Sequence, residues 1–520
     1  MDGPSFLLDL LCGGYLKDFL VQVRLFKPSI LKKMKKTFFM PIRLLAGAWC
    51  MLLLTTVALQ AQEKMPVTTP SIGAEEQFHQ GVEQFTRLHF NQAKKHFDEA
   101  LRMDPDFAMA HFYLAATLMQ GSGFEAEHLN KAIELSDEIS SGEKHLIRFG
   151  QAMSQKDTQA MDKHSEILID LWPEDESLRM WVGLAHYSAG DYDLAIRHLT
   201  RAIEINPDYH PAHNMLGYSH MMLGDMDSAE ESFIKYLEVL PGEANPHDSY
   251  GEFLLRNGRF NEAIAHYRKA LKISPDFTSS LKGLADSYLF QGDMMMARKS
   301  YQDYSRNNDN YNIKLNGMLY EASVDLHENN PEAALRNIDR YIRMAEQKGL
   351  PYYQIRGMAY KGYILTETGQ PEEGIKYYRK AKEMIATADL PASMKKDLNT
   401  QAHIWEFYAL SSDNDMEAAE QARVKCRKVL LDHGSADHWK TYYQSEGIMQ
   451  LKQGRYDQAR EQLAKAWDTP ETWYYTGLTW QRQGNPIKAR QWYQKVTRHY
   501  QNSLELGGVR NKALAGLQEK

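Results

Sequence analysis

The sequence predicts an all-α protein built as a stack of antiparallel helical hairpins, and three observations point there. Small residues and prolines recur with a step of 34: Gly183, Gly217 and Gly251; Ala195, Ala229 and Ala263; Pro207, Pro241 and Pro275. Between them apolar residues fall at helical spacing, as in Leu194, Ile196, Leu199 and Ile203. Strand-like alternation is nearly absent. A fixed period of this size marks a solenoid of helical hairpins. Such an array has no ordinary size ceiling, so 520 residues need not mean three or four domains.

The chain opens on residues 1–33, best explained as an extension from a start codon assigned too early. From Met34 a second beginning is legible. Lys35, Lys36 and Arg43 form a basic leader, Leu44 to Val57 an apolar stretch, and Leu59-Gln60-Ala61 a small-residue exit. That order predicts a secretory signal peptide over residues 34–61, cleaved after Ala61. The apolar run falls short of the roughly 20 residues a spanning helix needs, so no membrane span is expected after cleavage. Trp49 beside Cys50, in mid-segment, does not resemble a bacterial lipobox. Residues 62–73, with two prolines and no helical pattern, read as a flexible leader.

The array is expected over 74–385 and 394–506, with roughly ten to twelve hairpins. In AGDYDLAIRHLTRAI, Gly190 permits the left-handed turn that ends a first helix. Asp191 or Asp193 can accept the free amides that begin a second. Pro207 cannot continue that helix and turns the chain into the next unit. Gly183 and Ala195 are small where two helices cross closely. No hairpin can bury its own face alone, so each must stack on its neighbours.

This pattern resembles the tetratricopeptide repeat family. Its residues here are Gly217, Gly224, Ala229, Phe233 and Pro241 in one unit, and Gly251, Gly258, Ala263, Tyr267, Ala270 and Pro275 in the next. An earlier unit carries Gly81, Ala93, Phe97, Ala100 and Pro105. Weaker ones carry Ala285, Gly292, Ala297 and Tyr301, then Gly362, Gly369, Tyr378 and Ala381. Near the end stand Gly447, Gly454, Ala459 and Ala466, followed by Gly477, Gly484 and Ala489. The resemblance implies a right-handed superhelical solenoid of exported bacterial type. Residues 119–173 are degenerate, 386–393 read as a break or hinge, and Gly507-Gly508 are expected to stop the last helix before a cap at 507–520.

Composition excludes several functions. The formal charge is −7, and removing residues 1–61 takes away eight Lys or Arg and three Asp or Glu, leaving an acidic chain without a nucleic-acid footprint. Cys426 is the one cysteine beyond the leader, which forbids an internal disulfide and a thiolate zinc site; a buried apolar role is expected for it. No phosphate-cradling glycine loop, H-E-x-x-H or G-x-S-x-G motif is present. His186 with His220, and His213 with His247, are 34 apart and should face each other across neighbouring hairpins, without a carboxylate to complete a metal site. No cofactor, metal site or catalytic residue is expected.

In the family resembled, first helices line a groove that holds a peptide or a partner's helix. By register the groove-facing positions here are Met180, Leu184 and Tyr187; Asn214, Tyr218 and Met222; Asp248, Glu252 and Arg256; and Lys282, Asp286 and Phe290. Tyr and Met supply an adaptable apolar surface. Acids at Glu252 and Asp286 would repel a peptide's terminal carboxylate, which disfavours a chaperone-tail clamp. The expected function is a non-enzymatic scaffold or adaptor of the cell envelope, periplasmic or secreted, with a protein or peptide partner. The alternatives are a small-ligand or glycan-binding component, using Trp473, Tyr474, Tyr475, Trp480, Trp492 and Tyr493, and an all-helical enzyme.

Overall fold

The computed structural model describes residues 64–118, 124–306, 310–413 and 415–519. The expected extension (1–33) and expected signal segment (34–61), with Cys12 and Cys50, lie outside them. The described residues form 25 helices and no strand, and 24 of the helices pair into twelve hairpins, from Ile72–Thr86 with Phe90–Met103 to Pro470–Arg482 with Pro486–Thr497. None is long and apolar enough to cross a membrane.

Local chemistry explains the hairpins. Gly190 and Gly224 end first helices with φ of 83° and 81°, and a Cβ on either would meet nothing within 4 Å. Glycine is required there by the backbone and not by crowding. Asp191, and not Asp193, caps the helix Tyr192–Ile205, its side chain accepting the Leu194 amide; Asp225 does the same for the Ser228 amide one repeat on. Gly217 serves crowding instead, since a Cβ there would sit 2.6 Å from the Phe233 ring. Tyr267 occupies a tighter slot, between Gly251 of its own hairpin and Gly283 of the next, where added Cβ atoms would lie 3.0 and 2.2 Å from its ring. The motif alanines Ala195, Ala229, Ala263 and Ala297 are all completely buried.

The chain divides into two compact units, with the boundary inside the helix Glu176–Ala189. The first comprises the described residues up to Phe85 and His89–Ala185, the second Thr86–Leu88 and His186 onward. In the first, Phe78, Phe97, Phe107, Phe112 and Trp181 build an aromatic core. Residues 65, 68 and 69, ahead of its first helix, are hydrogen-bonded to the array. The Met65 amide donates to Asp175 (2.9 Å), the Thr68 amide to Glu143 (2.6 Å) and the Thr69 hydroxyl to Asp104 (2.6 Å). An extended segment must place its backbone donors somewhere, and these acids supply the acceptors. The expected break at 386–393 is a connection within the second unit. The helices on either side of it, Pro371–Thr387 and Ala392–Ser412, share one apolar cluster that includes Ile375, Tyr378, Ile404 and Phe407. Cys426 is a buried member of that cluster, and burial pushes its thiol up to about 12.

Candidate functional site

In the second unit the face made by first helices is partly filled by the chain's own end. Gly507 and Gly508 do not stop a helix; both lie inside the helix Leu504–Gln518. That helix packs on the second helix just before it, Pro486–Thr497, and across three first helices, Tyr311–His327, Pro351–Glu367 and Pro470–Arg482. The two glycines are where it comes closest: a Cβ on Gly507 would lie 2.6 Å from Ser323 Oγ, and one on Gly508 3.0 Å from the Tyr363 hydroxyl. Leu504 packs with Ala322, Leu326 and Ile364, and Leu506, Val509 and Ala513 pack with Trp473 and Tyr493.

Two adjacent residues of this tail terminate two of those helices. Asn511 Nδ2 donates to the carbonyls of Leu326 (3.1 Å) and His327 (2.9 Å) and to Asn329 Oδ1 (2.9 Å). Lys512 Nζ donates to the Glu367 carbonyl (2.7 Å) and to Glu367 Oε2 (2.6 Å). Helix ends leave carbonyls without partners, and a cation suits the negative end of the dipole. Upstream, Asn502 is buried in a polar knot: its amide N–H faces Asp286 Oδ2 at 3.4 Å, its Nδ2 donates to the Tyr301 hydroxyl (2.8 Å), and its Oδ1 accepts from Ser323 Oγ (2.6 Å).

These contacts settle where the candidate residues stand. Asp248, Glu252, Arg256, Lys282 and Asp286 do come together, lining a cavity of about 240 Å³ with Gln501 of the tail. Asp286 is spoken for by Lys282 (2.7 Å), Tyr301 and Asn502. Phe290 does not face an open groove, because the Tyr500 ring lies 5.5 Å and the Arg510 guanidinium 5.0 Å from its centroid. Asp248 is buried and accepts from Ser280 (2.6 Å), and burial raises its carboxyl to about 7. Tyr218 packs edge-on against Phe233 and donates to Glu252 (3.0 Å), which also takes Arg256 (2.6 Å). Asn214 is half-buried, Tyr187 is half-buried against Tyr192, and Met222 and Arg256 are exposed. Met180 and Leu184, both half-buried, lie on the first-unit side of the boundary.

The histidines pair differently from the sequence expectation. His186 stacks on His198, and His247 meets His266 with their Nδ1 atoms 3.2 Å apart. His213 instead faces the Pro207 carbonyl at 2.8 Å. Pairing is therefore across the two helices of one hairpin, because a first-helix side chain lies nearer its own second helix than its equivalent a repeat away. No group of three or more metal-capable side chains exists among the described residues. The C-terminal aromatics are mostly core: Trp473, Tyr475 and Tyr493 are buried. Trp480 has Arg460 at 3.6 Å and Lys488 at 4.1 Å from its ring, so its faces are not free for a sugar.

Titration of this unit has a predictable sign. His210, His266, His403 and His499 are each pushed down to about 4, chiefly by burial, with Arg87, His247, Lys382 and Arg256 respectively adding to it. Between pH 6.5 and 4 the unfolded chain takes up protons that the folded chain refuses, so stability falls as the pH falls through that window. Asp248, Asp325 and Glu471, raised by burial, act oppositely but are fewer. The thermal midpoint of the unit is expected to drop steadily from pH 6.5 to 4; a flat or rising midpoint contradicts the assignment.

Sequence comparison matches four family models to the chain. One described as TPR repeat covers residues 183–224. Three described as tetratricopeptide repeat cover 244–277; 80–134 and 446–503; and 210–241 and 352–387. No curated protein sequence matches. Among solved structures, a TPR protein of Thermus thermophilus is 22% identical, covering 42% of this chain and 99% of its own, with a TM-score of 0.28. The YrrB TPR protein, described as having an unusual peptide-binding site, is 15% identical over 34% of this chain and 89% of its own (TM-score 0.27). Pseudomonas aeruginosa pilF is 16% identical over 51% and 94% (TM-score 0.28).

Proposed function

Given that the chain belongs to the tetratricopeptide repeat family, we propose that it is a non-enzymatic interaction scaffold that holds a helical or extended segment of a partner protein against its first helices. One observation carries this reading. The helix Leu504–Gln518, besides packing on the second helix Pro486–Thr497 before it, lies across first helices with apolar residues in the seam and polar side chains on their ends. The first-helix face is thus chemically fit to hold a helix. Away from the tail, Tyr187, Tyr218 and Met222 leave a mixed aromatic and methionine surface for a segment from another chain. Met repacks around varied partners, and Tyr offers area with a polar tip.

We further propose that the protein works in the cell envelope, exported by the segment 34–61. The basic leader, apolar stretch and Leu59-Gln60-Ala61 exit support it. Terminal sequencing of the protein recovered from cells should begin at Gln62; a full-length chain in the cytosol with its leader intact would overturn export.

Pull-down from envelope extract tests the scaffold reading. The mature chain is compared with the double variant Tyr187→Ser, Met222→Ser, after circular dichroism confirms equal helicity. A partner retained by the first and reduced about tenfold or more by the second, in keeping with loss of an aromatic anchor, is the expected result. Equal recovery by both baits rejects the face.

A further inference from the structure

Beside the tail, four first helices enclose a cavity of about 390 Å³ that the scaffold reading does not use. It is of a size that holds a small molecule. Two parallel ring pairs form its walls. Tyr378 and Trp405 stand 6.1 Å apart at 21°, and Tyr363 and Tyr408 stand 6.0 Å apart at 18°. Tyr363 ends in a buried hydroxyl that has no hydrogen-bond partner among the described residues. Such an atom is costly to leave unmatched and calls for an acceptor or donor from outside the chain.

The charge of the lining is lopsided. Asp397, Glu471 and Glu505 are acidic, and Arg356 is the single cation among the lining residues. Arg356 is turned to another task, 5.2 Å above the Tyr360 ring and donating to its hydroxyl at 2.6 Å. Glu471 is buried at the start of the helix Pro470–Arg482 and has no cationic partner in any ion pair of the described residues. Its neighbours are Glu367, which is paired with Lys512, and Glu505 on the tail, together with Tyr408 and Gln444.

The Tyr408 hydroxyl, with one proton to give, is within bonding distance of Glu367 Oε1 and, at 2.7 Å, of Glu471 Oε1. Glu367 also accepts from Lys512 and from Tyr475 (2.7 Å), whereas Glu471 has no cation beside it. Burial, and then the charge of Glu367, push the Glu471 carboxyl well above the usual carboxylate range, so it holds a proton more readily than an exposed carboxylate.

We propose that the cavity binds a small organic cation, an ammonium compound whose charge sits against the Glu471 carboxylate and whose body lies between the ring pairs. Aromatic faces attract ammonium groups, more strongly when both are withdrawn from water. A cation arriving at Glu471 replaces the proton there, so binding releases one proton and tightens as the pH rises.

Fluorescence titration tests this directly, since Trp405 and Trp467 both line the cavity. The probes are choline, whose charge is permanent, its neutral carbon isostere 3,3-dimethylbutan-1-ol, and Nα-acetyl-lysine amide as a stand-in for a partner's lysine side chain. Choline or the lysine probe should give a saturable change at least about tenfold tighter than the isostere. The tighter of the two tells whether a free amine or a protein side chain is the natural source. The preferred cation should bind more tightly at pH 8.5 than at pH 6. Glu471→Gln keeps the hydrogen bonds to Tyr408 and Gln444 and should lose that pH dependence along with about tenfold in affinity. Trp405→Leu, removing one ring, should weaken binding without altering its pH dependence. A response equal for choline, lysine probe and isostere, no saturable response in the unaltered protein, or pH-independent binding would each overturn the proposal.

Discussion

Lys512→Met is expected to destabilise the second unit by about 3 kcal/mol, because it strands Glu367 in the interior without its cation. Glu367 is almost fully enclosed, with a side-chain exposure of 2%, whereas Lys512 is 35% exposed. Partial exposure of one partner places the effect at the lower end for an orphaned buried charge, and the donors Tyr408 and Tyr475 remain in place to soften it. The distinguishing measurement is the second variant. Glu367→Gln alone removes the buried charge, and the double variant Lys512→Met, Glu367→Gln should recover a large part of the loss, since two neutral groups of similar shape carry no unpaired ion. Urea unfolding of all four proteins gives the cycle. If the single and double variants unfold at the same midpoint, the tail is not held by this ion pair.

Tyr267→Ala should be of similar or larger size, about 3–5 kcal/mol, as for other large buried rings cut to alanine. Tyr267 is 2% exposed and is clasped between Gly251 and Gly283. Gly283→Ala addresses the same slot from the other side. Its Cβ would fall 2.2 Å from the tyrosine ring, so the ring or the backbone must move, at about 1–3 kcal/mol. The two changes should be strongly sub-additive, because once the ring is gone the new methyl group occupies part of the space it left. Strict additivity in thermal unfolding would show that the ring does not fill the slot.

Much of this fold was legible in the residues, for a physical reason. Gly190, Asp191, Ala195 and Pro207 act within one hairpin, and local requirements leave a local signature. So do the ring-on-glycine contacts, since Phe233 with Gly217 and Tyr267 with Gly251 are both separated by 16 residues, a constant of the hairpin. What escaped sequence reasoning depends on distant partners. Gly507-Gly508 look like a helix stop because glycine is a poor helix former; that they stay helical follows from Ser323 and Tyr363 packing against them, which no local pattern announces. Phe290 has the register of a groove residue, yet its neighbours Tyr500 and Arg510 lie over two hundred positions away. The histidines were misjudged for a different cause. A 34-residue step relates equivalent positions, but contact follows proximity, and the second helix of the same hairpin is closer. The candidate cavity was not legible at all, because Tyr378, Trp405, Glu471 and Glu505 come from separate hairpins and the tail.

A repeat stack ordinarily touches only its nearest neighbours, so it can unravel from either end one hairpin at a time. In the second unit, Asn502, Asn511 and Lys512 instead join residues 145 to 216 positions apart in sequence. Loop closure of that kind makes an open spring into a clasped one. Fraying at the C-terminal hairpins must first break the clasp, and that clasp runs to helices far back in the array. Cooperativity therefore rises above what nearest-neighbour coupling gives, while folding slows, because the contacts that close the clasp are the most non-local in the unit.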